Sequence, residues 1–130
     1  MKDSRIARSQ GLAQGGVIFA PASFLLASLD ELTDICNGCG TSDSWFRPPE
    51  KFYGTNIIYA CIIHDYMYHK GFTIEDKQEA DRVFLNNMNR LITRDKHLWY
   101  KPTFLQRECA VKYYYMVKYY GAEAFWKGKN

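Results

Sequence analysis

Apolar residues recur at helical spacing over most of this chain, and turn-forming residues cut it into segments. Residues 1–20 carry no sustained pattern and read as loosely ordered. Residues 22–35 fit a short amphipathic helix. Residues 36–49 are dense in Gly, Ser, Asp and Pro and read as a loop. A helix is expected from residue 51 or 53 to residue 70, ended by Gly71 in the glycine cap position. Thr73 then offers an N-cap, with Asp76 three residues on as a capping-box analogue. A second helix should run from 74 to about 93. Pro102 can open a third, which runs to 120 and is closed by Gly121. The two middle helices are separated by a very short turn and should pack as antiparallel neighbours. The pattern is all-α. With 130 residues and neither repeat nor low-complexity tract, it suits a single domain over 1–130.

One position breaks the pattern. At about 100° per residue, Ile74, Phe84, Leu85, Met88, Leu91 and Ile92 share one arc of the second helix. Asp81 sits near the middle of that arc. Glu75, Asp76, Glu79, Arg82, Asn86, Asn87 and Arg90 take the other side. A carboxylate inside an apolar stripe is expensive to bury without a donor. The preceding helix offers two donors, because His64 and Tyr68 are four apart and share a face. Tyr53, Ile57, Ala60, Cys61 and Met67 are expected on or beside that face. A buried His64–Asp81 hydrogen bond follows, with the Tyr68 hydroxyl also donating to Asp81. Such a carboxylate fixes the imidazole tautomer and leaves the other ring nitrogen to take a proton from water. On these residues alone, a purely structural buried pair and a catalytic pair weigh equally. Asp65 is rotated by about 100° from His64, at the rim of the same place, where it could hold a cation.

Composition narrows the partners. The chain is 47% hydrophobic and 24% charged, an ordinary globular balance. Its net charge of +3 and lack of a long basic run give no support for nucleic acid. No stretch reaches the roughly 18 to 20 uncharged apolar residues that span a bilayer. Lys2, Arg5 and Arg8 precede a mild apolar stretch over 15–29, but Gln14, the glycines and Pro21 dilute it, so an ordinary first helix is expected rather than a leader. Aromatic content is 16%, concentrated toward the C-terminus. Tyr119, Trp126 and Lys127 there suit a lipid headgroup boundary, against the plainer reading of core packing plus surface tyrosines. Four cysteines, Cys36, Cys39, Cys61 and Cys109, allow three disulfide pairings or one metal site.

The segment 37–92 resembles the secreted phospholipase A2 family. Its helix motif stands as Cys61-Ile62-Ile63-His64-Asp65-Tyr66-Met67-Tyr68. Its second-helix motif stands as Ala80-Asp81-Arg82, and its calcium loop as Gly38-Cys39-Gly40-Thr41-Ser42. The resemblance implies a phospholipase A2-like fold, with two long antiparallel helices carrying the site behind a calcium-binding loop. It implies a calcium-dependent hydrolysis of the sn-2 ester of glycerophospholipids at a membrane surface. His64 would be the general base, Asp81 its orienting carboxylate and Tyr68 the tyrosine that holds it. Asp65 would be the bidentate Ca²⁺ ligand, with the carbonyls of Gly38, Gly40 and Ser42. The Gly40 N–H would help bind the oxyanion, and Cys39 would pair with Cys61. Three departures stand out. Ser42 replaces a glycine, and Met67 and Ala80 replace two cysteines that many animal members pair together. Cys36 and Cys109 have no place in the pattern and could pair or stay reduced. Bacterial and viral members are similarly poor in disulfides. The compartment stays open, with a secreted, virion-carried or injected protein expected over a resident cytoplasmic one.

Two other readings stand beside the enzyme. Cys36-x-x-Cys39 and Cys61-x-x-His64 also scan as a zinc-binding structural module, which would leave Asp81 unexplained. A phospholipase-like protein could also bind lipid without turnover. No Gly-x-Ser-x-Gly nucleophile motif occurs. The sequence does not indicate an oligomeric state.

Overall fold

The computed structural model describes residues 2–36, 50–95 and 102–129. These residues form α1 (Lys2–Gln14), α2 (Ala22–Leu26), α3 (Leu29–Ile35), a two-stranded ribbon of β1 (Lys51–Phe52) and β2 (Thr55–Asn56), then α4 (Ile58–Lys70), α5 (Ile74–Asp95), α6 (Thr103–Tyr120) and α7 (Ala122–Trp126). The all-α expectation therefore holds. The helical hairpin of α4 and α5 is its spine, with α1 and α3 packed on α4 and α6 on α5.

Local sequence explains most element boundaries. The α4–α5 turn is fixed by a reciprocal capping box: the Thr73 hydroxyl accepts from the Asp76 N–H at 3.0 Å, and the Asp76 carboxylate accepts from the Thr73 N–H at 3.1 Å. Gly71 ends α4, but in an extended conformation rather than the left-handed one expected. Its reason is space, since a Cβ there would lie 2.8 Å from the Phe125 ring.

Three expectations are corrected. Residues 2–14, expected to be loosely ordered, form α1, which buries Ile6 and Ser9 on one side. The Ser9 hydroxyl donates to the Tyr59 carbonyl at 3.0 Å, and Gln10 donates to the Phe24 and Ala27 carbonyls. The signal is weak in sequence because the helix is held by polar side chains as much as apolar ones. Residues 22–35 break into two helices, because Ser28 caps the second by accepting from the Glu31 N–H. The helix expected to start at 51 or 53 starts at Ile58 instead. Tyr53 and Gly54 have positive φ (48° and 93°), so they form the two-residue turn of a hairpin pairing Phe52 with Thr55. Tyr53 is thus exposed on the turn and not on the α4 face. Buried Gln106 of α6 locks this ribbon, donating to the Phe52 carbonyl at 2.9 Å and the Thr55 hydroxyl at 2.7 Å.

The main core cluster is built from Phe24, Leu32, Phe52, Ile57, Ile63, Tyr66, Phe84, Met88 and Leu91, among others, and a smaller one joins Tyr68, Ala80 and Phe125. On α5 the buried stripe is wider than expected at its start. Lys77, Ala80 and Val83 are buried, whereas Ile74 at the first turn is half exposed. Asn87, expected on the polar side, is fully buried. Its amide pairs with the Phe19 backbone in both directions, each bond 2.8 Å. It gives the Phe19 backbone the donor and acceptor that a strand partner would supply, which pattern alone does not show. Among the described residues no helix is long and apolar enough to cross a membrane.

Asn87→Ala should cost about 1–3 kcal/mol of stability, since two partly buried backbone groups at Phe19 lose their partner. Denaturant unfolding measures this directly.

Candidate active site

The α4–α5 hairpin brings His64, Tyr68 and Asp81 into one buried cluster. His64 Nε2 lies 2.8 Å from Asp81 Oδ1. The Tyr68 hydroxyl donates to the same oxygen at 2.6 Å. Asp81 is 2% exposed and His64 8%, so the carboxylate is sealed while a sliver of imidazole stays reachable. Tyr68 and Phe84 flank the imidazole with ring centroids at 4.1 and 4.5 Å, which restrains its tilt. Both hydrogen bonds expected from helical spacing are present.

Sequence reasoning missed Lys77. Its ammonium donates to Asp81 Oδ2 at 2.8 Å. It also donates to the carbonyls of Val117 (3.0 Å) and Lys118 (3.3 Å) in the last turn of α6. The available signal was spacing, as Lys77 precedes Asp81 by four residues and shares its stripe. A lysine next to exposed Glu75, Asp76 and Glu79 reads as surface until α6 is laid over it. Arg82, in contrast, pairs with Glu79 on the surface, and its bond contributes little.

The electrostatics follow from this packing. Burial opposes ionisation of Asp81, but hydrogen bonds from His64, Lys77 and Tyr68 together hold its carboxyl below the usual aspartate value. Burial lowers His64, and the Lys77 charge adds to that; the Asp81 carboxylate pulls the other way without winning. His64 therefore rests as neutral imidazole. An ionised carboxylate only accepts, so Nε2 carries the hydrogen and Nδ1 keeps its lone pair. Burial and the Asp81 charge push the Tyr68 phenol far up, so it stays a donor.

Asp65 follows His64 on α4 and is half-buried. Its charge reaches Tyr68 and helps raise that phenol. Gly38, Cys39, Gly40 and Ser42 lie outside the described residues. Among the described residues no group of three His, Cys, Asp or Glu side chains converges as a metal cluster. Cys61 is in a disulfide, whereas Cys36 and Cys109 remain thiols and do not bridge to each other. The Cys61 sulfur is thus not a zinc-binding thiolate, which removes one of the four ligands of the zinc reading.

The remaining candidates lie apart from this cluster. Tyr119 and Lys127 are exposed, and Trp126 is half-buried edge-on to Phe125 at 4.8 Å. Phe125 in turn packs edge-on against Tyr68 at 5.2 Å, so α7 forms the outer wall of the site. Lys129 closes that wall by donating to the Tyr68 carbonyl. Gly121 has a spatial role there too, because a Cβ would lie 2.6 Å from the Tyr68 hydroxyl and 2.5 Å from the Val117 carbonyl.

Residues 46–100 match a family described as a protein of unknown function (DUF1353). That span holds the ribbon, α4 and α5, and with them His64, Asp65, Tyr68, Lys77 and Asp81. No curated protein and no solved structure matches the chain. This overturns the resemblance to secreted phospholipases A2. The segment carrying the two helix motifs matches a different family, and nothing found links the chain to that superfamily. A His and a Tyr at helical spacing also satisfy the donor needs of an aspartate buried in a helical hairpin, so the motif is less specific than its length suggests.

Two outcomes follow from the packing. Asp81 and His64 both have folded values below their ordinary ones of 3.8 and 6.5. In each case the unfolded chain binds protons more readily, so stability should be intact above pH 6.5, fall as His64 charges, and fall again below pH 3.8. Urea unfolding across that range checks the sign. Gly121→Ala should push the Tyr68 hydroxyl off Asp81 and cost about 1–3 kcal/mol. The loss should shrink in a Tyr68→Phe background, which a double-mutant cycle measures.

Proposed function

We propose that the protein is a carboxylic ester hydrolase in which His64 activates water. The reading extends to a calcium-dependent reaction at the sn-2 ester of a glycerophospholipid. The observation that carries it is the buried His64 imidazole, with Nε2 2.8 Å from the Asp81 carboxylate, which leaves Nδ1 as the ring atom to take a proton. A water hydrogen-bonded to Nδ1 gives up its proton as its oxygen attacks the ester carbonyl. The imidazolium so formed lies against the Asp81 carboxylate, which stabilises the charge. Tyr68 and Lys77 hold that carboxylate in place. The proton then passes from Nδ1 to the departing alkoxide, releasing a fatty acid and a lysophospholipid. Water is the nucleophile, consistent with the absence of a serine-elbow motif.

Asp65, beside His64, is a hard oxygen donor on the described face of the site, and Gly38, Gly40 and Ser42 could add backbone carbonyls. Oxygen donors of this kind suit calcium rather than zinc. Bound there, the ion would polarise the ester carbonyl, and the reading assigns the Gly40 N–H to the same oxyanion. Tyr119, Trp126 and Lys127 favour a phospholipid surface as the partner.

Fatty-acid release from mixed phospholipid vesicles tests the reading. Activity should require calcium, and His64→Gln should lower it by about 10²–10⁴-fold while leaving the fold intact by circular dichroism. Undiminished release by either route means that another group does the chemistry. Calcium and vesicle binding without release would make the protein a lipid binder. Unchanged vesicle binding after replacing Trp126 and Lys127 would dismiss the interfacial role.

A further inference from the structure

Lys77 is buried to 4% exposure, and an ammonium in such a place needs every proton accepted. Its three N–H groups meet three acceptors: Asp81 Oδ2, the Val117 carbonyl and the Lys118 carbonyl. Two of these are last-turn carbonyls of α6, where the helix dipole favours a cation. The third is the carboxylate that orients His64. The division of labour on Asp81 is strict, with Oδ2 taken by Lys77 and Oδ1 shared by His64 and Tyr68. A carboxylate with one oxygen left unbonded could rotate and offer either oxygen to the imidazole. Pinned from α6, it cannot.

We propose that Lys77 is a positioning residue of the His64 site, tying Asp81 to the C-terminal end of α6 and so holding the imidazole in its Nε2–H form. Buried behind the carboxylate, the residue acts through Asp81. The other cations near α4 have other partners, and the Asp65 charge on α4 itself acts on Tyr68. From α1, Arg5 pairs with Glu50 and Arg8 lies over Tyr59; from α3, Glu31 pairs with Lys70; from the C-terminal segment, Lys129 binds the Tyr68 carbonyl. Lys77 is thus the cation that reaches the Asp81 carboxylate among the described residues. The closing of α6 over the hairpin completes the site, so the catalytic pair is not a property of α4 and α5 alone.

The inference rests on the hydrolase reading for its kinetic consequence but not for its structural one. Imidazole ¹⁵N shifts of His64 report the tautomer at a fixed neutral pH, with no substrate present. The unaltered protein should show a single Nε2–H form, and Lys77→Met a mixture of tautomers or a broadened pair of signals. Where hydrolysis is measurable, Lys77→Met should lower kcat roughly tenfold or more with KM little changed, as expected when a supporting hydrogen-bond partner is lost. If Lys77→Met does not fold, Lys77→Gln keeps donors for the α6 carbonyls without the charge and takes the same two measurements. An Nδ1–H form in the unaltered protein, or an unchanged single tautomer and unchanged kcat in a folded variant, overturns the proposal. A tautomer change in a protein that hydrolyses no ester would uphold the role of Lys77 and reject the hydrolase.

Discussion

Everything around the candidate site depends on keeping one carboxylate ionised where water does not reach. Asp81 lies in the apolar seam between α4, α5 and α6, and burial alone would drive it to its neutral form. Three donors prevent that. Two come from α4 across the hairpin, and one comes from α5 itself, braced by the end of α6. The charge is thus distributed over three helices, and each helix is in turn located by it. A buried pair of this kind is weak evidence for stability, because replacing it with apolar residues is often neutral. Its retention in the middle of a stripe is better explained by what it does to His64.

That effect is a balance. A lone carboxylate would make the imidazole more basic and leave it charged at rest. Burial and the Lys77 charge pull the other way, and the result is a neutral ring held by one nitrogen. Such a ring can accept a proton and then be stabilised once it has done so, which is what a general base requires. The aromatic walls of Tyr68 and Phe84 keep the plane of the ring fixed, and Phe125 backs Tyr68 from α7. The chemistry that this geometry supports is narrower than the family resemblance implied. Proton abstraction from water rests on the described residues. Calcium and the phospholipid ester rest on Asp65, on residues outside the described part, and on an aromatic C-terminal surface.

The similarity to a family of unknown function, over the ribbon and the hairpin, puts the site inside the matched segment. The two helices after it, α6 and α7, lie outside that segment, yet both complete the surroundings of Tyr68 and Asp81. The resemblance to phospholipases A2 failed for an instructive reason. A buried aspartate on one helix of a hairpin calls for donors on the other, and a histidine and a tyrosine one turn apart supply them here without implying that family.

The sequence by itself determined the helical hairpin, its capping-box turn and the His64–Asp81–Tyr68 cluster. These are local matters: apolar spacing names the faces, a short turn forces antiparallel packing, and an aspartate in the stripe demands the donors opposite. Only the tertiary structure decided the rest. Lys77 looks like a surface lysine until α6 covers it, Asn87 like a surface amide until the Phe19 backbone reaches it, and the first fourteen residues like loose chain until Ser9 and Gln10 find carbonyls on other elements. Each of these depends on partners 14 to 68 residues away. Periodicity records which face of a helix is buried, but not which distant polar group that face will meet.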